Sequence, residues 1–282
     1  MCRKDLLIRN LKKHRKTLER EGKQSEAQTF NFYPQTYILP SEYVIFVDEF
    51  KKLQALENKN IWIMKPTGKS QGKGIFLFNK LSSIAQWESH SAENYIVQRY
   101  INDPLLIGGK KFDIRIYALV TSYSPLTVYL YRSGFARFTH SRYEESKINN
   151  SEIHLTNVAI QKHSDGYDEV IGGKWYLDKL KDYLSSKYGQ DKINSSFFKI
   201  QEIVIKTLEA HQKAMSTDRN NSFELYGFDI LLDSKLHPWL IEVNGSPSMT
   251  ANTSTDYKMK MGLLEDTLLV IDMEKLYLFI LK

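Results

Sequence analysis

An α+β fold with mainly antiparallel strand pairing is what this 282-residue sequence predicts, and three observations carry it. From Ile61 onward, short apolar runs rich in Ile, Val, Tyr and Phe recur between Gly, Pro, Asn and Asp, which is the punctuation of strands. Helical segments fall between some of these runs, near residues 80–89, 175–187 and 195–215. Most strand runs lie close enough in sequence to pair antiparallel, and no internal repeat or low-complexity tract points elsewhere.

In chain order, Leu7, Leu11 and Leu18 fall at i, i+4 and i+11 and predict a helix with one apolar stripe over residues 1–24. That helix is basic. It holds nine Lys and Arg (Arg3, Lys4, Arg9, Lys12, Lys13, Arg15, Lys16, Arg20, Lys23) against Asp5, Glu19 and Glu21, an excess equal to the whole chain's net charge of +6. Such a face is either simply solvated or attracts a polyanion: an acidic protein tail, nucleic acid or an anionic membrane. Residues 22–28 read as a polar break, and "FYPQTYILPSEY" (residues 32–43) as extended chain punctuated by Pro34 and Pro40. Ser41 is a fitting N-cap for a helix over residues 42–56 that buries Phe46, Phe50 and Leu53. The strand runs follow: "IWIMKP", "GIFLF", "NYIVQRYI", "FDIRIYALVTSY", "LTVYLYRSGFARF", "FELYGFDILLD" and "PWLIEVN".

Composition narrows the function classes. A hydrophobic fraction of 42% with 26% charged residues is that of a folded globular chain, and no stretch approaches the roughly 18 uninterrupted apolar residues of a membrane span. The first residues, "MCRKDLLIRN", carry charges where a signal peptide has its apolar core, so the expected location is the cytoplasm. The sole cysteine, Cys2, cannot form an internal disulfide and argues against a cysteine-built metal site. His154, His163 and His237 lack metal-ligand spacing and read as structural. No RNP, helix-turn-helix or zinc-finger pattern is present, so neither nucleic acid nor membrane is expected as a partner.

Three motifs carry chemistry. In "FDILLDSKLHPWLIEVN" two strand runs are joined by residues 234–237, and folding that hairpin sets Asp229 opposite Glu242. Glu242 and Asn244, two apart, then share one sheet face while Ile241 and Val243 point to the other. Two carboxylates and an amide oxygen converging on one spot repel unless a divalent cation compensates them, and the set suits Mg²⁺. The alternative is a hairpin with one outward polar face. In "WIMKPTGKSQGKGIFLF" a strand ends at Lys65 and Pro66 and passes through a loop with Gly68, Gly72 and Gly74. Those glycines let backbone approach phosphates, which Lys65, Lys69 and Lys73 can neutralise, although a glycine-rich hairpin loop is itself common. In "KKFDIRIYALV", Lys111, Asp113 and Arg115 alternate with apolar residues, and the next strand adds Arg132 and Arg137, so a charged floor faces the loop. Thr156, Asn157 and Lys174 add polar groups nearby in sequence. Together the pieces imply a nucleoside triphosphate with Mg²⁺ lying between two sheets.

Nine blocks in this order, "WIMKP", "SQGKGIF", "YIVQRYI", "PLLIGGKKFDIRIYALV", "GFARF", "HLTNVAIQKH", "GGKW", "LYGFDILLD" and "PWLIEVNGSPS", resemble the tubulin–tyrosine-ligase-like family, in its polyglutamylase branch, within the ATP-grasp superfamily. The resemblance runs from about residue 3 to about residue 273. It implies two lobes of mainly antiparallel sheet clasping ATP, divided as a basic helical segment over 1–60, a central lobe over 61–110, a C-terminal lobe over 111–270 and an unassigned tail over 271–282. It also implies site roles. Lys65 contacts phosphates under the loop of Gln71 and Gly72; Gln98, Arg99, Tyr100 and Ile101 hold the adenine edge; Lys111, Asp113, Thr156 and Asn157 bind the nucleotide. Arg115 and Arg137 face the reacting carboxylate as catalytic cations, Gln71 and Arg137 meet the acceptor, Lys174 selects incoming glutamate, and Asp229, Glu242 and Asn244 bind Mg²⁺. The implied reaction joins free L-glutamate to glutamate side chains of acidic tubulin tails at the expense of ATP, on microtubules of the cytoskeleton, at cilia or basal bodies, with accessory subunits as further partners. Same-fold alternatives are glycine ligation and a non-catalytic microtubule-binding module. Three departures stand out: the family's further N-terminal lobe is expected to be truncated here, Gly245 stands where alanine is usual, and "EKLYLFILK" has no counterpart.

Overall fold

The computed structural model describes residues 1–56, 59–85, 94–162, 173–215 and 222–272. Its strands are β1 Thr36–Leu39, β2 Trp62–Pro66, β3 Phe76–Phe78, β4 Tyr95–Arg99, β5 Leu106–Ile107, β6 Lys110–Tyr123, β7 Leu126–Phe138, β8 Lys174–Tyr176, β9 Glu224–Leu232 and β10 Pro238–Gly245. The helices are α1 Lys4–Arg20, α2 Gln24–Gln28, α3 Tyr43–Leu56, α4 Ser82–Ala85, α5 Ser151–His154, α6 Val158–Gln161, α7 Leu177–Tyr188, α8 Gln190–Met215 and α9 Ser254–Ile271. The predicted α+β class with antiparallel sheets is what forms. A small sheet runs β1-β4-β2-β3 and a large one β10-β9-β6-β7-β8, with β5 on β6, and every pairing is antiparallel.

Each sheet has an apolar face and a working face. The small sheet puts Trp62, Met64 and Val97 against Phe46 and Phe50 of α3, so the chain from β1 through α3 packs with this sheet. Trp62 is fully buried, stands edge-on to Phe46 at 5.1 Å and donates its indole N–H to Asn60. The large sheet lays Phe112, Ile114, Ile116, Phe228, Ile230 and Val243 on a core shared with Leu7 and Leu11 of α1, Leu180 and Leu184 of α7, and Ile200 and Leu208 of α8. Period-two alternation does the rest: the residues between these apolar positions, Lys111, Asp113, Arg115 and Asp229, must face the other way.

The structure amends several sequence expectations. The helix expected from residue 175 begins at Leu177, because Lys174–Tyr176 is a short strand on the edge of β7. The next begins at Gln190, since Gly189 at φ +91° supplies the left-handed turn that ends α7. Of the helix near 80–89, the described part is α4, and residues 86–93 lie outside the described residues. The polar break holds α2, which buries only Ala27. α9 has no counterpart among the sequence expectations: Met261, Leu268, Leu269 and Val270 are exposed while Met259 and Leu263 are buried, so its apolar residues form no single stripe. In the hairpin, Leu240 pairs with Ile230 and Glu242 with Asp229, leaving Ile241 as an extra residue. That bulge turns Ile241 toward the same side as Glu242, against the strict alternation expected of the strand. The apolar tail "EKLYLFILK" lies outside the described residues.

Replacing Trp62 by alanine removes the centre of the small sheet's core and leaves the Asn60 acceptor unpaired. Chemical denaturation should show a loss of about 3–5 kcal/mol.

Candidate active site

Register brings the charges of the large sheet into opposition. Asp113 lies across from Arg137, Arg115 from Asp229, and Asp229 from Glu242. Arg115 grips Asp229 with Nε and Nη2 at 2.6 and 3.2 Å, and Arg137 reaches Asp229 at 2.9 Å while holding both oxygens of Asp113. Burial alone would push the Asp229 carboxyl up, but the two guanidiniums outweigh it and hold it well below the usual carboxylate range. Arg115 can lie across the sheet only because residue 227 is glycine: a Cβ there would stand 3.1 Å from Arg115 Cδ and 3.1 Å from Pro247 Cβ.

Glu242 is in the opposite situation. Burial, and next the charge of Asp229, raise its carboxyl above the ordinary value, with Lys4 of α1 at 3.7 Å as a partial counter-ion. Asn244 donates Nδ2 to Asp229 at 3.2 Å and to Glu242 at 3.3 Å. Two carboxylates and an amide fit a hard dication: like-charge repulsion at Glu242 is the strain a cation relieves, and a half-turn of the Asn244 amide presents its oxygen. Among the described residues no group of three or more Asp, Glu, His or Cys is arranged to hold a metal, so this mixed donor set depends on its amide.

The small sheet supplies the facing wall. Lys65 of β2 is 5% exposed and donates to Gln98 Oε1 at 2.7 Å; Gln98 donates to Thr36, and Thr36 to the Pro34 carbonyl. Lys111 donates to Tyr100 Oη and to the His154 carbonyl, both at 2.9 Å. Burial depresses both ammoniums, Lys65 to about 8 and Lys111 to about 7. The loop between β2 and β3 lies over this wall. Gly72, at φ +78°, sits so close to α6 that a Cβ would be 2.5 Å from Ile160 Cδ1, and Lys4 Nζ donates to the Lys69 carbonyl at 3.0 Å. Of the three loop lysines, only Lys65 lines the cleft; Lys69 and Lys73 are exposed and line neither cavity described below.

The expected site residues come together in two adjoining cavities. The first, a narrow cleft of about 80 Å³ between the sheets, is lined by Lys65, Gln71, Gly72, Gln98, Arg99, Tyr100, Ile101, Lys111, Asp113, Arg137, Thr156, Asn157, Asp229 and Glu242. The second, about 600 Å³, is lined by Arg115, Lys174 and Asn244 and shares Gln71, Arg137, Asn157 and Glu242 with the first. Arg99 lines the cleft while its guanidinium lies over Trp62 on the α3 side of the sheet. Arg132 is a correction: it is exposed and lines a different groove, with Asp266 and Leu263 of α9, farther along β7 from the cavities. His154 lines the first cavity, and His237 packs on an aromatic away from both cavities. His154 engages Tyr100 Oη and the Lys147 carbonyl with its two ring nitrogens, and His237 stacks edge-on to Trp239; His163 and Gly172 lie outside the described residues.

Three contributors escaped the sequence reading. Lys4 was counted only within a basic helix face, and Asp256 and Lys260 belong to the unanticipated α9. Asp256 pairs with Lys174 at 3.0 Å and with Lys260 at 3.2 Å beside the second cavity. At residue 245 a Cβ would lie 2.9 Å from Cys2 Sγ, so glycine there makes room for that sulfur.

Two antiparallel sheets meeting over a cleft lined by lysines, arginines and paired carboxylates define the class, an α+β protein with a charged inter-sheet site. The sequence pattern of the tubulin-tyrosine ligase family matches residues 1–276, and the chain belongs to that family. It is 44% identical over 310 aligned positions to "Probable tubulin polyglutamylase TTLL9" of Rattus norvegicus (97% of this chain, 66% of that protein). It is 45% identical over 280 positions to "Probable tubulin polyglutamylase ttll-9" of Caenorhabditis elegans (98% and 66%), and 44% over 291 positions to "Probable alpha-tubulin polyglutamylase Ttll1" of Tetrahymena thermophila (96% and 69%). The chain thus spans about two thirds of the length of these curated relatives.

Arg115→Met leaves Asp229 buried with only Arg137 as counter-ion. A thermal melt should show destabilisation of about 3 kcal/mol, whereas Arg132→Met, remote from Asp229, should change stability by less than about 0.5 kcal/mol.

Proposed function

We propose that this protein is an ATP- and Mg²⁺-dependent ligase that adds glutamate to glutamate side chains in tubulin C-terminal tails. One observation carries the reading: every side chain expected to serve that reaction lines one of two cavities that meet at Gln71, Arg137, Asn157 and Glu242. The relatives named as tubulin polyglutamylases support the acceptor and the amino acid. The two sheets then act as the lobes of an ATP-grasp fold, working on microtubules in the cytoplasm, with cilia or basal bodies as the sites and accessory subunits as further partners.

In this reading the first cavity takes the nucleotide. Lys65, steered by Gln98, and Lys111, steered by Tyr100 and the His154 carbonyl, bind phosphate oxygens. The N–H groups of Arg99 and Tyr100 are already given to the Gln35 and Ile61 carbonyls, so Ile101 offers the donor for the adenine edge. Thr156 and Asn157 close the opposite side with Asp113. The loop carrying Gln71 and Gly72 lies against Ile160 along this cavity and is the element that would close over the nucleotide. Asp229, Glu242 and Asn244 would hold Mg²⁺, which supplies neutralising charge for the phosphates. Arg115 and Arg137 hold the acceptor carboxylate and offset charge on the transferring phosphoryl group. A γ-carboxylate oxygen attacks the γ-phosphorus and ADP leaves. The α-amine of free glutamate, brought in beside Lys174, then attacks the acyl carbonyl, loses a proton and expels phosphate.

Purified protein given microtubules, ATP, Mg²⁺ and labelled glutamate should label tubulin. Labelled glycine in its place should not. Glu242→Gln should lower incorporation by about 100-fold or more. Absence of label at full ATP occupancy, with candidate partner subunits added, would overturn the ligase reading in favour of a microtubule-binding role. A pH test addresses the two lysines. A bound polyphosphate restores protons to ammoniums that burial holds at about 7 and about 8, so ATP affinity should fall as pH rises through that window. Calorimetry at pH 8 should show uptake of between about one and two protons as a buffer-dependent enthalpy. A buffer-independent enthalpy removes both lysines from the phosphate site.

A further inference from the structure

The second cavity has an electrostatic feature that the nucleotide chemistry does not use. Asp256, in the first turn of α9, is 1% exposed and is not itself part of the cavity wall. One of its oxygens, Oδ2, accepts from Lys174 Nζ at 3.0 Å, from Lys260 Nζ at 3.2 Å and from the Asn252 N–H at 3.4 Å, while Oδ1 is buried without a hydrogen-bond partner among the described residues. A buried carboxylate that served only to pin the helix would be expected to use both oxygens, because a buried unpaired oxygen is destabilising. Crowding two ammoniums onto one oxygen instead sets them side by side at the cavity wall. Both are anchored further: Lys260 donates to the Thr250 carbonyl, and Lys174 lies 4.8 Å from the centre of the Phe135 ring. Burial pushes the Lys260 ammonium down, Asp256 opposes that, and the two lysines together hold the Asp256 carboxyl below its usual range despite its own burial.

Charge narrows what fits. Arg115 and Arg137 are matched by Asp229 and Asp113, and the other charged residues of this lining, Lys162 and Glu242, are of opposite sign to each other. The trio of Lys174, Lys260 and Asp256 carries one surplus positive charge. A free amino acid with two carboxylates and one ammonium carries one surplus negative charge, whereas a neutral side chain or glycine leaves the trio uncompensated.

We propose that Lys174 and Lys260, held together by the buried carboxylate of Asp256, form a two-ammonium clamp that binds a carboxylate of the donor amino acid and selects an acidic donor. This rests on the ligase reading above and adds two residues to it: Lys260 as a binding residue and Asp256 as a positioning residue. Pairing both lysines to one anion fixes their separation before the donor arrives, so little side-chain entropy is left to lose on binding.

The experiment uses the full chain in two readouts. Calorimetric titration of L-glutamate into protein saturated with a non-hydrolysable ATP analogue and Mg²⁺ measures donor binding without turnover. Labelled-glutamate incorporation into microtubules gives KM and kcat. Lys260→Met should weaken glutamate binding and raise its KM by about tenfold or more, with KM for ATP unchanged, and Lys260→Arg should recover most of the loss. Asp256→Asn should raise the glutamate KM similarly and narrow the preference for glutamate over glutamine. Unchanged glutamate binding in Lys260→Met overturns the clamp, as does a loss shared equally by ATP and glutamate in a variant with wild-type melting. If wild-type protein binds glutamate through Lys260 but labels no tubulin, the ligase reading fails and the clamp stands. If wild-type protein binds no glutamate, the clamp falls.

Discussion

The arrangement of the site depends on one buried carboxylate. Asp229 sits in the middle of the large sheet, 2% exposed, where an ionised group persists only if it is paired. Both partners come from other strands, Arg115 from β6 and Arg137 from β7, and Arg137 is anchored in turn by Asp113. This chain of alternating charge crosses three strands and ties their register to electrostatics as well as to packing. A one-residue slip would carry Asp229 to the apolar face and strand two guanidiniums, so the same alternation that builds the core also fixes the site. Gly227 is part of this constraint, because it clears the path that Arg115 takes over the backbone.

The second half of the design is desolvation. Among the described residues, Lys65 and Lys111 are buried lysines held by a glutamine oxygen, a tyrosine hydroxyl and a backbone carbonyl rather than by a carboxylate. Neutral acceptors orient an ammonium without cancelling its charge. The wall therefore remains able to attract a polyanion while its lysines are aimed in advance, which is the electrostatic preorganisation that phosphoryl chemistry demands. On the opposite side, Glu242 is incompletely compensated: burial and Asp229 raise its carboxyl against the opposing charges of Lys4, at 3.7 Å, and Lys65. Unspent positive charge on one wall and unspent negative charge on the other meet across one narrow gap.

How much of this is legible in the sequence follows from the range of each interaction. The hairpin of β9 and β10 and the opposition of Asp229 and Glu242 are readable because a short turn fixes register locally. The alternation of Lys111, Asp113 and Arg115 is readable for the same period-two reason. The bulge at Ile241 is not, since an extra residue leaves no mark in an apolar run. Arg132 misled for a different cause: it shares a strand with Arg137 but lies five residues along it, at the groove lined by α9 rather than at the cavities. Lys4 lies in a basic run whose charges look alike, and only the fold shows that one of them turns into the cleft.

α9 marks the limit most clearly. Its apolar residues point in several directions, so periodicity gives no stripe to read, yet Met259 and Leu263 dock it against Tyr117 and Phe135 at the end of the working face. Docking there delivers Asp256 to the back of Lys174, a residue 82 positions earlier in the chain. A lysine on the edge strand β8 would otherwise be a flexible tether with about 2 kcal/mol of side-chain entropy to lose. A buried counter-ion supplied from a distant helix converts it into an oriented group. The orientation of Lys174 at this end of the sheet therefore depends on a tertiary contact that neither strand pattern nor motif encodes.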